Sequence, residues 1–542
     1  SIYGGGELGS VGTFTDFYTD NTWDADKKAM RFKDEPKTCK EGTGLAEVII
    51  TGGQVGLNKQ HMPNPSEPTS DDDYGYVFCA SKGIADSTAY EKANLLAVVN
   101  ETHLQISGGL IIASVYGGSE NGEVLGDTHV EISGGQIGTG YYEEGGAGHW
   151  DGTYTEEAWN AAIEKVRAGN FADSDAAGFH ECDAWPFNSE GSRFVYDYFA
   201  EDYDSKGGSK SAGNGHSFFG NVFGGGSGYY PFAAGQWRRT AGRVCGDTYV
   251  TITGGHILTN VYGGNEIADV LGKCKVEMSG GTVGVPRTIA GIQARPVNSY
   301  IFGAGMGDPR TMFNDWSNVA ESEVIVKDSA VVFGSVFGGG EDGHVLGNAS
   351  TTIEGNAVIG TFGSSGVDGN IFGSGRGFSA IALTAGVVCG NVTVDIKDNA
   401  KILGSVFGGG RLAAVGTYLA ADGTDNYGKM QPGNDHGNIT INITGGTIGN
   451  QSKMNDHQYS VGDVFGGSKG ALMDEWAKSQ MLGLVKNTTI NISQADAAKP
   501  TTIYGNVYGG GEIASVGSYT YATAAQATTY NSSHASEPMA EG

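Results

Sequence analysis

Hydrophobic and polar positions alternate along this chain in short runs, and two such runs recur in strict order. The first reads V-[FY]-G-G-G, often with V-x-G about eight residues later. It begins at Ile2, Val77, Val115, Val222, Val261, Ile301, Val336, Ile371, Val406, Val464 and Val507. The second reads T-x-V-x-I-x-G-G-x-I-G, as in HVEISGGQIG and YVTITGGHIL, with weaker copies such as TTIEGNAVIG. Within it Val250 and Ile252 alternate with Tyr249 and Thr251, a period of two with one buried face. β-Branched residues favour a pleated strand over a helix, and the Gly-Gly that follows supplies a bend or a positive φ. Each period therefore gives at least two short strands joined by glycine corners.

Ile301, Val336, Ile371 and Val406 are each 35 residues apart. One such unit cannot bury its apolar face alone, whereas stacked units place Val on Val and Ile on Ile. The expected fold is all-β, a parallel β-helix (β-solenoid) of about ten ~35-residue coils, roughly 50 Å long at the inter-strand spacing. It spans 1–517 as one domain, with loop and short helical insertions at two edges, about 13–44, 57–76, 139–217, 227–244 and 417–436, and a low-complexity tail or linker over 518–542. A propeller fits less well, because a blade needs four strands in ~40 residues.

The aromatic of the first run should stack into a ladder through Tyr262, Phe302, Phe337, Phe372 and Phe407. In a straight strand the preceding valine points the opposite way. One ladder would then face outward as an apolar stripe for a ligand, unless the glycine corner turns both inward or loops cover it. The insertions hold a second group of aromatics. Thr153 with Glu156 makes a capping box for a helix ending near Gly169, and a shorter helix is expected around Leu472 and Trp476. Trp150, Trp185, Tyr196 and Tyr198 surround the first helix, and Trp237 sits in a further aromatic loop. Ring faces pack on pyranose C–H groups, so these five are candidate ligand-binding residues, alternatively packing their own insertions on the solenoid.

Composition narrows the class. Of 542 residues 92 are glycine, without the every-third spacing of collagen, and 39% are hydrophobic, too many for a disordered chain. The formal charge of −28 repels phosphate backbones, so no nucleic-acid partner is expected. No run approaches the ~18 apolar residues of a membrane span. The chain opens SIYGGGELGS with neither an initiator methionine nor a signal peptide, as expected of a mature product or an excised portion.

No enzyme is spelled out. The six cysteines form no CxxC pair and there is no His-rich cluster, so neither a metal site nor a cofactor is indicated. Cys245 and Cys389 share a repeat position but lie four coils apart, too far to bridge, while a bond among Cys39, Cys79 and Cys182 stays open. Candidate catalytic carboxylates are Asp71–Asp73, Asp24 with Asp26, and Glu341 with Asp342, none recurring with a placeable partner. Strings such as GGGELGSVG lack the GK[ST] of a phosphate loop.

The alternating V-[FY]-G-G-G and T-x-V-x-I-x-G-G-x-I-G string resembles the Gly-rich repeats of large bacterial surface proteins described as adhesin-like. The resemblance covers nearly the whole chain, to about Gly517. It implies export and a cell-surface or extracellular-fibre role, and it supplies no catalytic residues. IYGGGELGSVGTFT at the start matches VYGGGEIASVGSYT in the last repeat, with no polar cap at either end. The expected partners are therefore further repeats or end-to-end copies, together with glycans or host and cell-surface proteins. The leading expectation is a non-enzymatic extracellular structural or adhesive protein. The alternative is a carbohydrate-binding or polysaccharide-degrading β-helix using Trp150–Tyr203 or the loop near Trp237.

Overall fold

The computed structural model describes residues 1–56, 75–84, 93–138, 220–228, 239–284, 299–307, 317–360, 362–363, 366–367, 369–377, 385–417, 430–450, 461–471 and 482–517. Through these the chain winds as a parallel β-helix. The V-[FY] pairs, from Ile2–Tyr3 to Val507–Tyr508, form an eleven-stranded sheet whose spatial order is the sequence order. We number coils 1 to 11 from these strands and call this the first ladder. The T-x-V-x-I segments form another, with Val250 between Val130 and Val276, and Ile252 between Ile132 and Met278. Asn438–Ile443 shows the expected alternation, with Ile439, Ile441 and Ile443 buried.

Two further ladders carry one apolar residue per coil. The valine of V-x-G pairs in the order Val11, Val99, Val124, Val244, Val270, Val319, Val345, Val388 and Val415, and later Val485 with Val516. The apolar residue that ends the second run makes the last, after Gly-Gly-x in Ile111, Ile137, Ile257 and Val283, and without the glycines in Val332. In Thr248–Ile257 one strand runs through the glycines. Its neighbour in the next coil breaks there, so Thr248–Ile257 pairs with both Val270–Met278 and Thr282–Val283. All four ladders point into one continuous Val/Ile core.

The repeat residues have separate physical reasons. At the first glycine after the aromatic, a Cβ on Gly117, Gly224 or Gly303 would lie 2.2 Å from the carbonyl oxygen of the corresponding glycine one coil on. Stacking at strand spacing leaves no room for a side chain there. The leading Thr of the second run is buried, and its hydroxyl donates to that corner: Thr102 to Gly117 O, Thr128 to Gly224 O and Thr248 to Gly263 O, each at 2.6 Å.

The aromatic ladder forms, with successive rings from Tyr262 to Phe407 stacked 4.7–5.1 Å apart. The valines do point the other way, into the main core, but the aromatics are not an outward stripe. Tyr262, Phe302, Phe337, Phe372 and Phe407 are at most 2% exposed, in a second apolar cluster with Ala113, Ile267, Tyr300 and Met306. Ile267 and Met306, from the segments that follow the glycines, pack with the rings. Tyr262 Oη donates to Glu341 Oε2 at 2.5 Å, and Arg376 binds Glu341 at 2.6 Å and Asp342 at 2.9 Å.

The corners alternate from coil to coil, a feature that the even 35-residue spacing hides. From the first ladder to the valine ladder takes nine residues in odd coils: Ile2 to Val11, Val115 to Val124, Val261 to Val270, Val336 to Val345, Val406 to Val415 and Val507 to Val516. In even coils it takes 17 to 22, from Ile371 to Val388 up to Val77 to Val99 and Val222 to Val244. There the chain leaves and returns through left-handed residues, such as Gly228 and Gly242 (φ 85° and 72°) or Gly377 and Gly386 (71° and 69°). The corner that closes each coil alternates oppositely. It takes four residues in even coils, as from Ile257 to Val261, and at least 12 in odd ones, as from Ile359 to Ile371. The unit is thus two coils. Loops on every coil would crowd at ~4.8 Å, whereas alternate coils give them about 10 Å. A third insertion point, between the valine ladder and the long strands, is used by residues 13–44 and 417–437, so insertions occupy three edges rather than two.

Candidate functional site

Residues 13–44 leave coil 1 after Val11 and build a two-tier antiparallel hairpin, Phe14–Phe17 on Pro36–Cys39 and Thr22–Asp24 on Ala29–Arg31. Asp24 closes the tip, its Oδ1 accepting the N–H groups of Asp26 and Lys27 at 3.1 and 3.0 Å. The hairpin lies back along the rod. Arg243 of coil 4 donates from Nη1 to Met30 O at 3.0 Å, and its guanidinium sits 5.8 Å from the Phe32 ring.

A buried charge cluster fixes it there. Glu35 pairs with Arg31 of the hairpin and with Arg243 at 2.5 Å. Arg243 also donates from Nε and Nη2 to Glu123 of coil 3, at 3.1 and 2.7 Å. The Cys245 thiol donates to the same carboxylate at 3.2 Å. Burial pushes the Glu35 carboxyl up to about 7, with the Glu123 charge adding to it and Arg243 and Arg31 opposing. Burial likewise drives the Cys245 thiol far above its ordinary value, so it is an inert donor rather than a nucleophile.

Between the hairpin tip and the solenoid flank opens a cleft of about 510 Å³, within the usual range for small-molecule sites. Trp23, Lys27, Lys28 and Met30 wall it on the hairpin side, facing Arg239, Leu271, Asn318 and Leu346 of coils 4 to 7. Trp23 is 59% exposed, an unusual position for an indole. Arg239 is held by Asp269 in two hydrogen bonds of 2.9 and 3.2 Å. Asp269 also accepts the Asn318 N–H at 3.0 Å, so the cleft's carboxylate is a structural clamp. In a chain of net charge −28 this mouth presents an aromatic face beside exposed lysines. That combination suits a ring-bearing ligand with an acidic group.

The sequence candidates fall elsewhere. Trp150, Trp185, Tyr196, Tyr198, Trp237, Cys182, Asp71–Asp73 and both expected helices lie outside the described residues. Their anchor points are described, however: residues 139–219 leave at Gly138 and return at Gly220, and 229–238 leave at Gly228. Both aromatic insertions therefore hang from the same two-residue strand, Val222–Phe223 of coil 4. Glu341 and Asp342 are buried ion-pair partners of Arg376, and Asp24 is a turn acceptor. Cys39, Cys79, Cys245, Cys274 and Cys389 are free thiols, all but Cys39 buried, so Cys39 and Cys79 are not joined. The sequence did hold a signal for the cleft, the TWDADKK tip with its exposed Trp among charges, but not the coils it folds against. No protein-family model matches the chain, and no curated protein or solved structure matches it significantly.

Proposed function

We propose that this chain is an extracellular structural and adhesive surface protein, a stiff rod serving as the body of a stalk or filament. The unbroken core carries this reading: four in-register ladders stack coil on coil, so the molecule is a spacer that holds side loops at fixed heights. Its high negative charge suits a solvated exported surface. The last described coil leaves Val507, Tyr508, Ile513 and Val516 between 39% and 46% exposed, which fits a further coil or the first coil of a second copy. Electron microscopy of concentrated protein tests this. End-to-end strings are the expected outcome, and single monodisperse rods at every concentration would remove the self-assembly part.

A second reading, carbohydrate binding, is favoured by the cleft under Trp23. The expected ligand class is an acidic saccharide, its ring stacked on the indole and its carboxylate near Lys27 and Lys28. On a glycan array, Trp23→Ala should weaken that binding at least tenfold, whereas equal binding by both proteins would place recognition elsewhere. Turnover in a reducing-sugar assay, abolished by a single carboxylate substitution, would replace both readings with an enzyme.

A further inference from the structure

Outside the cleft, two histidines 26 positions apart in the chain occupy the same repeat position of neighbouring coils. His103 follows Thr102 in coil 2, His129 follows Thr128 in coil 3, and the register pairs them directly. Thr102, Leu104 and Ile106 point inward and are buried, so Glu101 and His103, and likewise His129, stand on the outer face. There the Glu101 carboxylate lies 3.0 Å from His103 Nε2 and 4.0 Å from His129 Nε2, all three atoms being within 4.8 Å of one another.

The rings are not stacked as the ladder spacing alone would have them. The His103 and His129 planes meet at 71°, with centroids 4.7 Å apart. On its other side His129 lies flat on Tyr249 of coil 4, 4.8 Å away at 8°. Tyr249 thus braces His129 while both Nε2 atoms converge on one carboxylate oxygen. An ion placed between these atoms would lie roughly 2–2.5 Å from each, the range of metal–imidazole and metal–carboxylate bonds. Glu47, the register partner of His103 in coil 1, adds negative charge beside the site.

We propose that Glu101, His103 and His129 bind one divalent transition-metal ion on the flank of the rod, with solvent completing the coordination. Two imidazoles and one carboxylate suit Zn²⁺, Cu²⁺ or Ni²⁺, and are the wrong set for Ca²⁺ or Mg²⁺, which take oxygen ligands. The ion would staple coil 2 to coil 3 through side chains, in addition to the backbone ladder. This proposal is independent of the saccharide reading, since none of its residues touches the cleft.

The test uses the full chain stripped with EDTA and titrated calorimetrically with Zn²⁺. One equivalent should bind with a Kd below about 100 µM, undiminished by excess Ca²⁺. His103→Gln and His129→Gln should each weaken it at least tenfold with an unchanged circular dichroism spectrum. Loading wild-type protein with one equivalent of Cu²⁺ gives a readout that needs no variant: electron paramagnetic resonance should show hyperfine coupling from two imidazole nitrogens. Absence of stoichiometric binding, or an oxygen-only copper spectrum from scattered surface carboxylates, would overturn the proposal. Affinity unaltered in both variants would do the same.

Discussion

At the scale of single residues, the solenoid places nearly identical glycines in different surroundings, which separates packing from propensity. A Cβ on Gly303 would come 2.2 Å from Gly338 O, with Gly338 C and Val324 Cγ2 at 3.0 Å. The obstruction is backbone, held in register on both sides, so it cannot yield as a flexible side chain would. Gly509 occupies the same motif position in the last described coil and would meet nothing within 4 Å. Gly303→Ala should therefore lose about 3–5 kcal/mol by overpacking the ladder, while Gly509→Ala should change stability by no more than about 0.5 kcal/mol. Chemical denaturation of the two variants checks this. Equal effects would mean that the glycine serves the corner's backbone conformation rather than the coil-to-coil approach. The motif string exposed the need for glycine, but not its cause, because the obstructing atom belongs to the next repeat rather than to the same turn.

At the scale of elements, the hairpin of residues 13–44 behaves as a clasp whose lock titrates. Glu35 carries a folded-state value of about 7 against an ordinary 4.5, raised first by burial. A carboxyl raised in this way holds its proton longer in the folded chain than in the unfolded one. Its contribution is complete below about pH 4.5 and is lost as pH rises through about 7. Between pH 8 and pH 5 the stability should therefore increase, by about 1–3 kcal/mol. Glu35→Gln should flatten that profile. Thermal melts across this window decide it, and a wild-type midpoint that falls steadily from pH 8 to pH 5 would sink the idea. None of this lock was legible in the sequence. Glu35 and Arg243 are far apart in the chain, no periodicity links them, and residues 13–44 read as an interruption whose one candidate chemistry was Asp24 with Asp26. The V-[FY]-G-G-G and T-x-V-x-I strands were legible because several residues repeat together. The valine ladder shows in the sequence only as the recurring V-x-G, because one apolar residue per coil leaves no alternation to mark it as a strand.

At the scale of the whole molecule, the two-coil unit sets which coils can be neighbours. The even spacing of 35 residues through Ile301, Val336, Ile371 and Val406 concealed it, since an even coil's loop at one corner matches an odd coil's loop at another. Side chains follow the same parity. Tyr116 of coil 3 donates to Glu266 of coil 5, and Tyr262 of coil 5 to Glu341 of coil 7, each reaching two coils along. Phe337 of coil 7 has no hydroxyl, and coil 9 carries Arg411 where the acceptor would stand. Basic residues of even coils meet acids of odd ones, Arg376 with Glu341 and Lys469 with Glu512 at 2.9 Å. Deleting coil 9 alone (Val406 to Asp463) would bring Arg376 beside Lys469 and set the loops after Gly377 and Gly470 on adjacent coils. Deleting coils 8 and 9 together (Ile371 to Asp463) removes more chain but keeps parity, and Lys469 then faces Glu341 and Asp342 in place of Arg376. The shorter deletion should thus be the more damaging, with a thermal midpoint several degrees below that of the longer one, since like charges and crowded loops replace paired ones. In a solenoid with a one-coil unit the order would reverse, because stability would simply fall with each coil removed.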